Sequence, residues 1–204
     1  MMASTPDVID LLAGITPGSA LDTIRAARQQ TRDNAQASYL ALFEPADTAE
    51  ASLEERFAVA CFVAGLHAQA PEAGFYRDGL AKVAQDPSLA DAIGAEVARG
   101  QAEGPTGHFP AGPLSVEDRE GTAYRIPDDS RAKLGNRLAA ALEHAHMLVI
   151  RPRDASADAL QALLSAGWSA TGIVTLSQLV AFLTFQLRVI HGLRVMAKTA
   201  PHSA

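Results

Sequence analysis

Cys61 is the only cysteine in the chain. One thiol excludes an intrachain disulfide framework, and it excludes a zinc site built from four thiolates. Aromatic residues are scarce, at 5%, which disfavours a sheet rich in aromatic and β-branched side chains. No basic patch stands out: the longest cluster is Arg151-Pro152-Arg153, and the 204 residues carry a net charge of −6. Three residues are too short for a phosphate track, so nucleic acid is not expected as a partner. The start, Met1 to Asp7, has no basic segment followed by an apolar stretch. That argues against a secretory signal and for a soluble cytoplasmic protein. The longest apolar-rich stretch, Ile173 to Ile190, is interrupted by Thr175, Ser177, Gln178, Thr184, Gln186 and Arg188. A buried core helix is the expectation there, with no membrane partner.

What is present favours helices. Hydrophobic residues make up 48% of the chain, and alanine and leucine carry much of that share. Small and straight-chain apolar residues suit closely packed helices. The expected fold class is all-α. Thr5-Pro6 and Thr16-Pro17 each place a capping residue before a proline suited to a first helical turn, predicting helices over 6–14 and 19–43. The middle of the second, Arg28 to Gln36, is polar and should be solvated. Ser52-Leu53-Glu54-Glu55 forms a capping box, and ten apolar residues follow from Phe57 to Leu66. A helix apolar on all sides is a buried one. Further helices are expected over 74–84, from Asp86-Pro87-Ser88 to Gly100, from Asp128-Asp129-Ser130 to Ile150, over 157–166 after Ser156, and over 170–197 after Ser169. Four glycines and three prolines between Gly100 and Pro113 mark a loop, and Ser115 with Asp118 suggests a short helical turn. A second irregular stretch surrounds Tyr124 to Pro127.

Two segments resemble a known family. Ala157 to Val195 contains a short capped helix, the turn Ala166-Gly167-Trp168-Ser169, and a long helix with Phe182, Phe185, Arg188 and Gly192. It is similar to the C-terminal half of peroxidase-related proteins of the alkyl hydroperoxidase D-like group, in the carboxymuconolactone decarboxylase superfamily. Leu187 stands where that group often has asparagine. Leu53 to Leu80 resembles the helix that enters the family's active site, where a glutamate precedes an apolar helix and a Cys-x-x-Cys-x-x-x-His motif. With Glu55 as the glutamate, His67 stands at the first cysteine, Ala70 at the second and Gly74 at the histidine. The resemblance implies an alkyl hydroperoxidase D-like domain over 49–204, with a Gly/Pro-rich insertion near 100–127 and an N-terminal helical extension over 1–48. It also implies a homo-oligomer: a dimer, trimer or hexamer.

A dithiol peroxidase needs one thiol to form a sulfenic acid and a second to resolve it. This chain cannot run that cycle within one subunit, and Cys61, inside an apolar run, should be an inert core thiol. The superfamily also includes thiol-independent decarboxylases that use acid–base chemistry. The residues that would carry such chemistry here are His67, Glu55, Arg188 and His191, with His144 and His146 as further candidates. On one straight helix Glu55 and His67 stand about 18 Å apart at 1.5 Å per residue. They cooperate only if the helix breaks or a neighbouring subunit joins them. A structural reading of His67 is a hydrogen-bonded imidazole at a helix C-terminus, where the dipole favours its charge. Glu55 is fully explained as the capping-box residue. His144 and His146, two positions apart, point about 200° from each other and make a poor chelate, and at least one should be at the surface or in packing. Arg188 and His191 share a helical face and suit an anionic group. No cofactor or metal is expected.

Three functions follow. The first is a peroxidase-related, antioxidant-type protein with a degenerate redox site. The second is an acid–base enzyme on a small lactone or organic acid. The third is a non-catalytic protein that binds an unspecified small molecule or assembles with a dithiol-bearing paralogue.

Overall fold

In the computed structural model, residues 6–199 are described. Among them ten α-helices and two short 3-10 turns form, and no strand does. The fold is all-α. The N-terminal helices are α1 (Val8–Ala13), α2 (Ala20–Ala26) and α3 (Gln29–Phe43). The middle of the chain forms α4 (Leu53–Leu66), α5 (Ala70–Val83) and α6 (Leu89–Gly100). After the loop come α7 (Asp128–Leu134), α8 (Asn136–Ile150), α9 (Ala157–Ser165) and α10 (Ala170–Thr199).

The capping box starts α4. The Ser52 hydroxyl accepts from the Glu55 N–H at 3.1 Å, and the Glu55 carboxylate accepts from the Ser52 N–H at 2.8 Å. Two otherwise unpaired backbone donors are thereby satisfied. Every residue from Ala58 to Ala64 is buried, because α5, α6, α8 and α10 all pack on α4. Two glycines set how closely. A Cβ on Gly79 of α5 would meet the Phe57 ring at 2.3 Å, and one on Gly65 of α4 would meet Val97 of α6 at 2.6 Å.

Where the chain departs from the expected helices, local chemistry gives the reason. The helix expected over 19–43 breaks at Arg28, whose backbone turns to φ −126° and ψ 54°. Folding α2 back on α3 lets Arg32 reach both Asp10 and Asp22, while Arg25 holds Asp7 and Asp10. Ser19 caps α2 in place of Thr16, and Asp7 caps α1. Thr5 lies outside the described residues. α5 begins at Ala70, four positions before the expected start, with Pro71 in its first turn. The helix expected over 128–150 breaks at Gly135, where φ is 79°. Only glycine adopts that backbone without strain.

The 101–127 segment is irregular, apart from a 3-10 turn at Pro113–Glu117 and an isolated bridge between Gly107 and Arg119. It is tied to the end of α8 by the Thr106 N–H on the Ile150 carbonyl at 2.7 Å, and Asp154 accepts from the His108 N–H at 3.0 Å. α10 is the longest element, about 45 Å at 1.5 Å per residue. Its stripe of Leu176, Leu179, Val180, Leu183, Leu187 and Ile190 is buried. It is long and apolar enough to cross a membrane by length and composition, and half of that window is packed inside the fold. It starts beside the start of α4, where Ser169 bonds to Glu50, and ends beside α1, where Arg194 donates to the Leu12 carbonyl.

Candidate functional site

Redox chemistry in this chain would turn on its single thiol. Cys61 is 6% exposed in the middle of α4. Burial pushes its pKa up, with the Arg77 charge opposing. A protonated, enclosed thiol is a poor nucleophile.

Glu55 stays at the start of α4. One carboxylate oxygen closes the capping box, and the other takes Arg137 Nε at 2.6 Å. Arg137 in turn lies over the Trp168 ring at 3.9 Å and donates to the Gly167 and Glu50 carbonyls at 2.5 and 2.7 Å. The group therefore welds α4 to α8 and to the α9–α10 turn. α4 runs unbroken to Leu66, so Glu55 and His67 sit at opposite ends of one helix, about 18 Å apart. The structure does not bring them together within one subunit.

His67 is the C-cap of α4, with φ −77° and ψ 0°. Its Nε2 is buried and has no hydrogen-bond partner among the described residues. Burial, and then the Arg188 charge, hold its pKa below the ordinary histidine value. This differs from the hydrogen-bonded, dipole-charged imidazole that the sequence suggests: desolvation and Arg188 outweigh the helix end. His67 and Arg188 are 121 positions apart in the chain, and α10 brings them within electrostatic reach.

Arg188 lines a groove of about 680 Å³ between α8 and α10. Ser177, Ala181, Thr184 and Arg188 follow one another at spacings of four, three and four, which places them on one face of α10. Leu148, Val180, Phe185 and Val189 supply apolar walls. An apolar trough with a few polar groups is the usual form of a small-molecule site. Ser177 and Thr184 were legible in the sequence only as breaks in an apolar run. Their helical register with Arg188 is the signal that would have grouped them. His191 is exposed and lies outside the lining of this groove.

His144 on α8 meets the groove residue Ser177 but is not part of the groove's lining. Its Nε2 lies 3.1 Å from the Ser177 hydroxyl, and it is 6% exposed. Burial holds its pKa low, so it is neutral near pH 7. His146 points the other way. Its Nε2 donates to the Gly100 carbonyl at 2.9 Å, and its ring stacks on Tyr124 at 4.6 Å. It is a packing residue. Among the described residues no group of three histidine, cysteine or carboxylate side chains is placed to hold a metal ion. Comparisons with protein-family models, with curated proteins and with solved structures give no match to this chain.

Proposed function

We propose that this chain is a redox-silent protein of the alkyl hydroperoxidase D-like, carboxymuconolactone decarboxylase type, which binds a small apolar organic acid in the α8–α10 groove. The family part of the reading rests on the two sequence segments, and the all-helical architecture is compatible with it. The ligand part rests on one observation: a cationic Arg188 at an apolar groove, with its charge felt by His67, whose Nε2 has no hydrogen-bond partner among the described residues. Arg188 pairs with the carboxylate. The apolar body lies along Val180, Ala181 and Phe185. His67, kept neutral by burial and the Arg188 charge and outside the groove's lining, is the group whose part in proton chemistry a lactone probe tests.

Calorimetric titration with a series of small aliphatic and aromatic carboxylates tests the binding step. Arg188→Met should weaken binding at least tenfold, the loss of one charge-assisted pair. Equal affinity in wild type and variant would remove the site. Turnover of a lactone probe with a bell-shaped pH profile, abolished in His67→Ala, would establish the proton chemistry. An unchanged rate in that variant would leave His67 without a role.

Self-association belongs to the same proposal. Val174 and Val195 are 55% and 47% exposed on α10, which is apolar surface a second copy would cover. Light scattering that shows only monomer at micromolar concentration would dismiss this part.

A further inference from the structure

The α8–α10 groove has a length as well as a charge. On α10 its lining runs from Ser177 to Val189, and Leu148 of α8 forms the facing wall. No carboxylate lines it. Arg188, near one end, has no hydrogen-bond or ion-pair partner among the described residues. A cation left unpaired beside an apolar trough is complementary to an anion that carries an apolar tail.

Helix register fixes where the two parts of such a ligand go. Long side chains on a helix lean toward its N-terminus and cover the turn before their own Cα. The Arg188 guanidinium therefore leans toward Thr184, one turn back on the same face. The Thr184 hydroxyl also has no hydrogen-bond partner among the described residues, so it is a second donor at that level. From Thr184 the trough continues over Ala181 and Val180 to Ser177, the last residue of α10 in its lining. Those seven positions span about 10 Å of helix. An extended alkyl chain advances about 1.3 Å per carbon, given C–C bonds of about 1.5 Å.

We infer that the groove takes an unbranched, medium-chain monocarboxylate of about eight carbons. Its carboxylate sits on Arg188 and Thr184, and its tail lies along α10 toward Ser177. The inference rests on the organic-acid reading of the groove and adds the shape and length of the acid.

Calorimetric titration of the full chain with sodium butanoate, hexanoate, octanoate and dodecanoate, each below its micelle concentration, tests it. A fully enclosed methylene is worth about fourfold in affinity, and an open trough should give about twofold. Affinity should therefore climb from butanoate to octanoate and level off by dodecanoate. Methyl octanoate, which has no charge, should bind about tenfold more weakly than octanoate or worse. Ala181 is exposed, so Ala181→Trp fills the trough without entering the core. That variant should bring the octanoate and butanoate affinities close together, and if it does not fold, the wild-type length series still decides. A flat length series whose members all lose affinity in Arg188→Met would overturn the chain-length inference and leave the organic-acid reading standing. A climb that continues to dodecanoate, or equal binding of the branched isomer 2-propylpentanoate, would do the same. No binding by any acid, or equal affinities in Arg188→Met, would overturn both.

Discussion

Arg194 on α10 lies 2.8 Å from the carboxylate of Glu72 on α5, and Glu72 is completely buried. The same guanidinium donates to the Leu12 carbonyl, so one side chain ties α1, α5 and α10 together. Next to it Tyr76 bonds to Gln186, both also completely buried. Removing one member of a buried ion pair leaves an uncompensated charge. Arg194→Met should therefore cost about 3 kcal/mol or more of stability. The double variant with Glu72→Gln should recover a large part of that loss. Urea denaturation of the three variants would show it, and single and double variants of equal stability would contradict it.

Glu55 and Arg137 hold the chain together and do not face the α8–α10 groove. Glu55→Ala removes both the capping-box return bond and the Arg137 pair, and should cost about 2 kcal/mol. Carboxylate affinity in the groove should stay within about twofold of wild type. A variant as stable as wild type but unable to bind would transfer Glu55 to the site.

The histidines set a stability slope. His67, His144 and His146 all have folded-state pKa values lowered by burial. Below the unfolded value of about 6.5 the unfolded chain takes up protons that the folded chain refuses. The stability these groups contribute is complete above that pH and is lost as pH falls through their lower folded values. His108, raised by Glu120 at the surface, has the opposite sign, with its contribution present below the unfolded value. Three buried rings outweigh one exposed pair, so stability should fall as pH drops below about 6.5. His146→Gln should flatten that fall, as measured by denaturation across the range.

Cys61 should react with a thiol reagent only as fast as the protein opens, and Cys61→Ser should leave hydroperoxide reduction at background in both forms. Rapid labelling of the native protein would refute the burial argument directly.

Two glycines in α5 make a matched pair. Gly74 has open space where a Cβ would go, whereas Gly79 faces the Phe57 ring. Gly74→Ala should stabilise by about 0.5–1 kcal/mol through helix propensity. Gly79→Ala should destabilise by about 1–3 kcal/mol through overpacking. Thermal denaturation should move the two midpoints in opposite directions.

Much of the helical framework was legible from short-range patterns. Ser52 with Glu55, Ser156 before α9, and the apolar stripe from Leu176 to Leu193 are each contained within a few turns, where capping and periodicity operate. The breaks at Arg28 and Gly135 were not read, because their flanks carry good helical sequence. One break is stabilised by carboxylates from α1 and α2, and the other by a glycine backbone whose sign of φ no pattern of polarity reveals.

By itself the sequence determined that the chain is all-α, that α4 begins at a capping box and is buried on every side, and that a single thiol cannot complete a dithiol cycle. These depend on composition and on neighbours within one helix. Only the tertiary structure decided that Glu55 belongs to Arg137, that Arg188 acts on His67, and that Ser177 meets His144. Those pairs lie 82, 121 and 33 positions apart. Helix packing, which depends on close approach at residues such as Gly65 and Gly79, sets which distant side chains share a dielectric, and no local pattern encodes that.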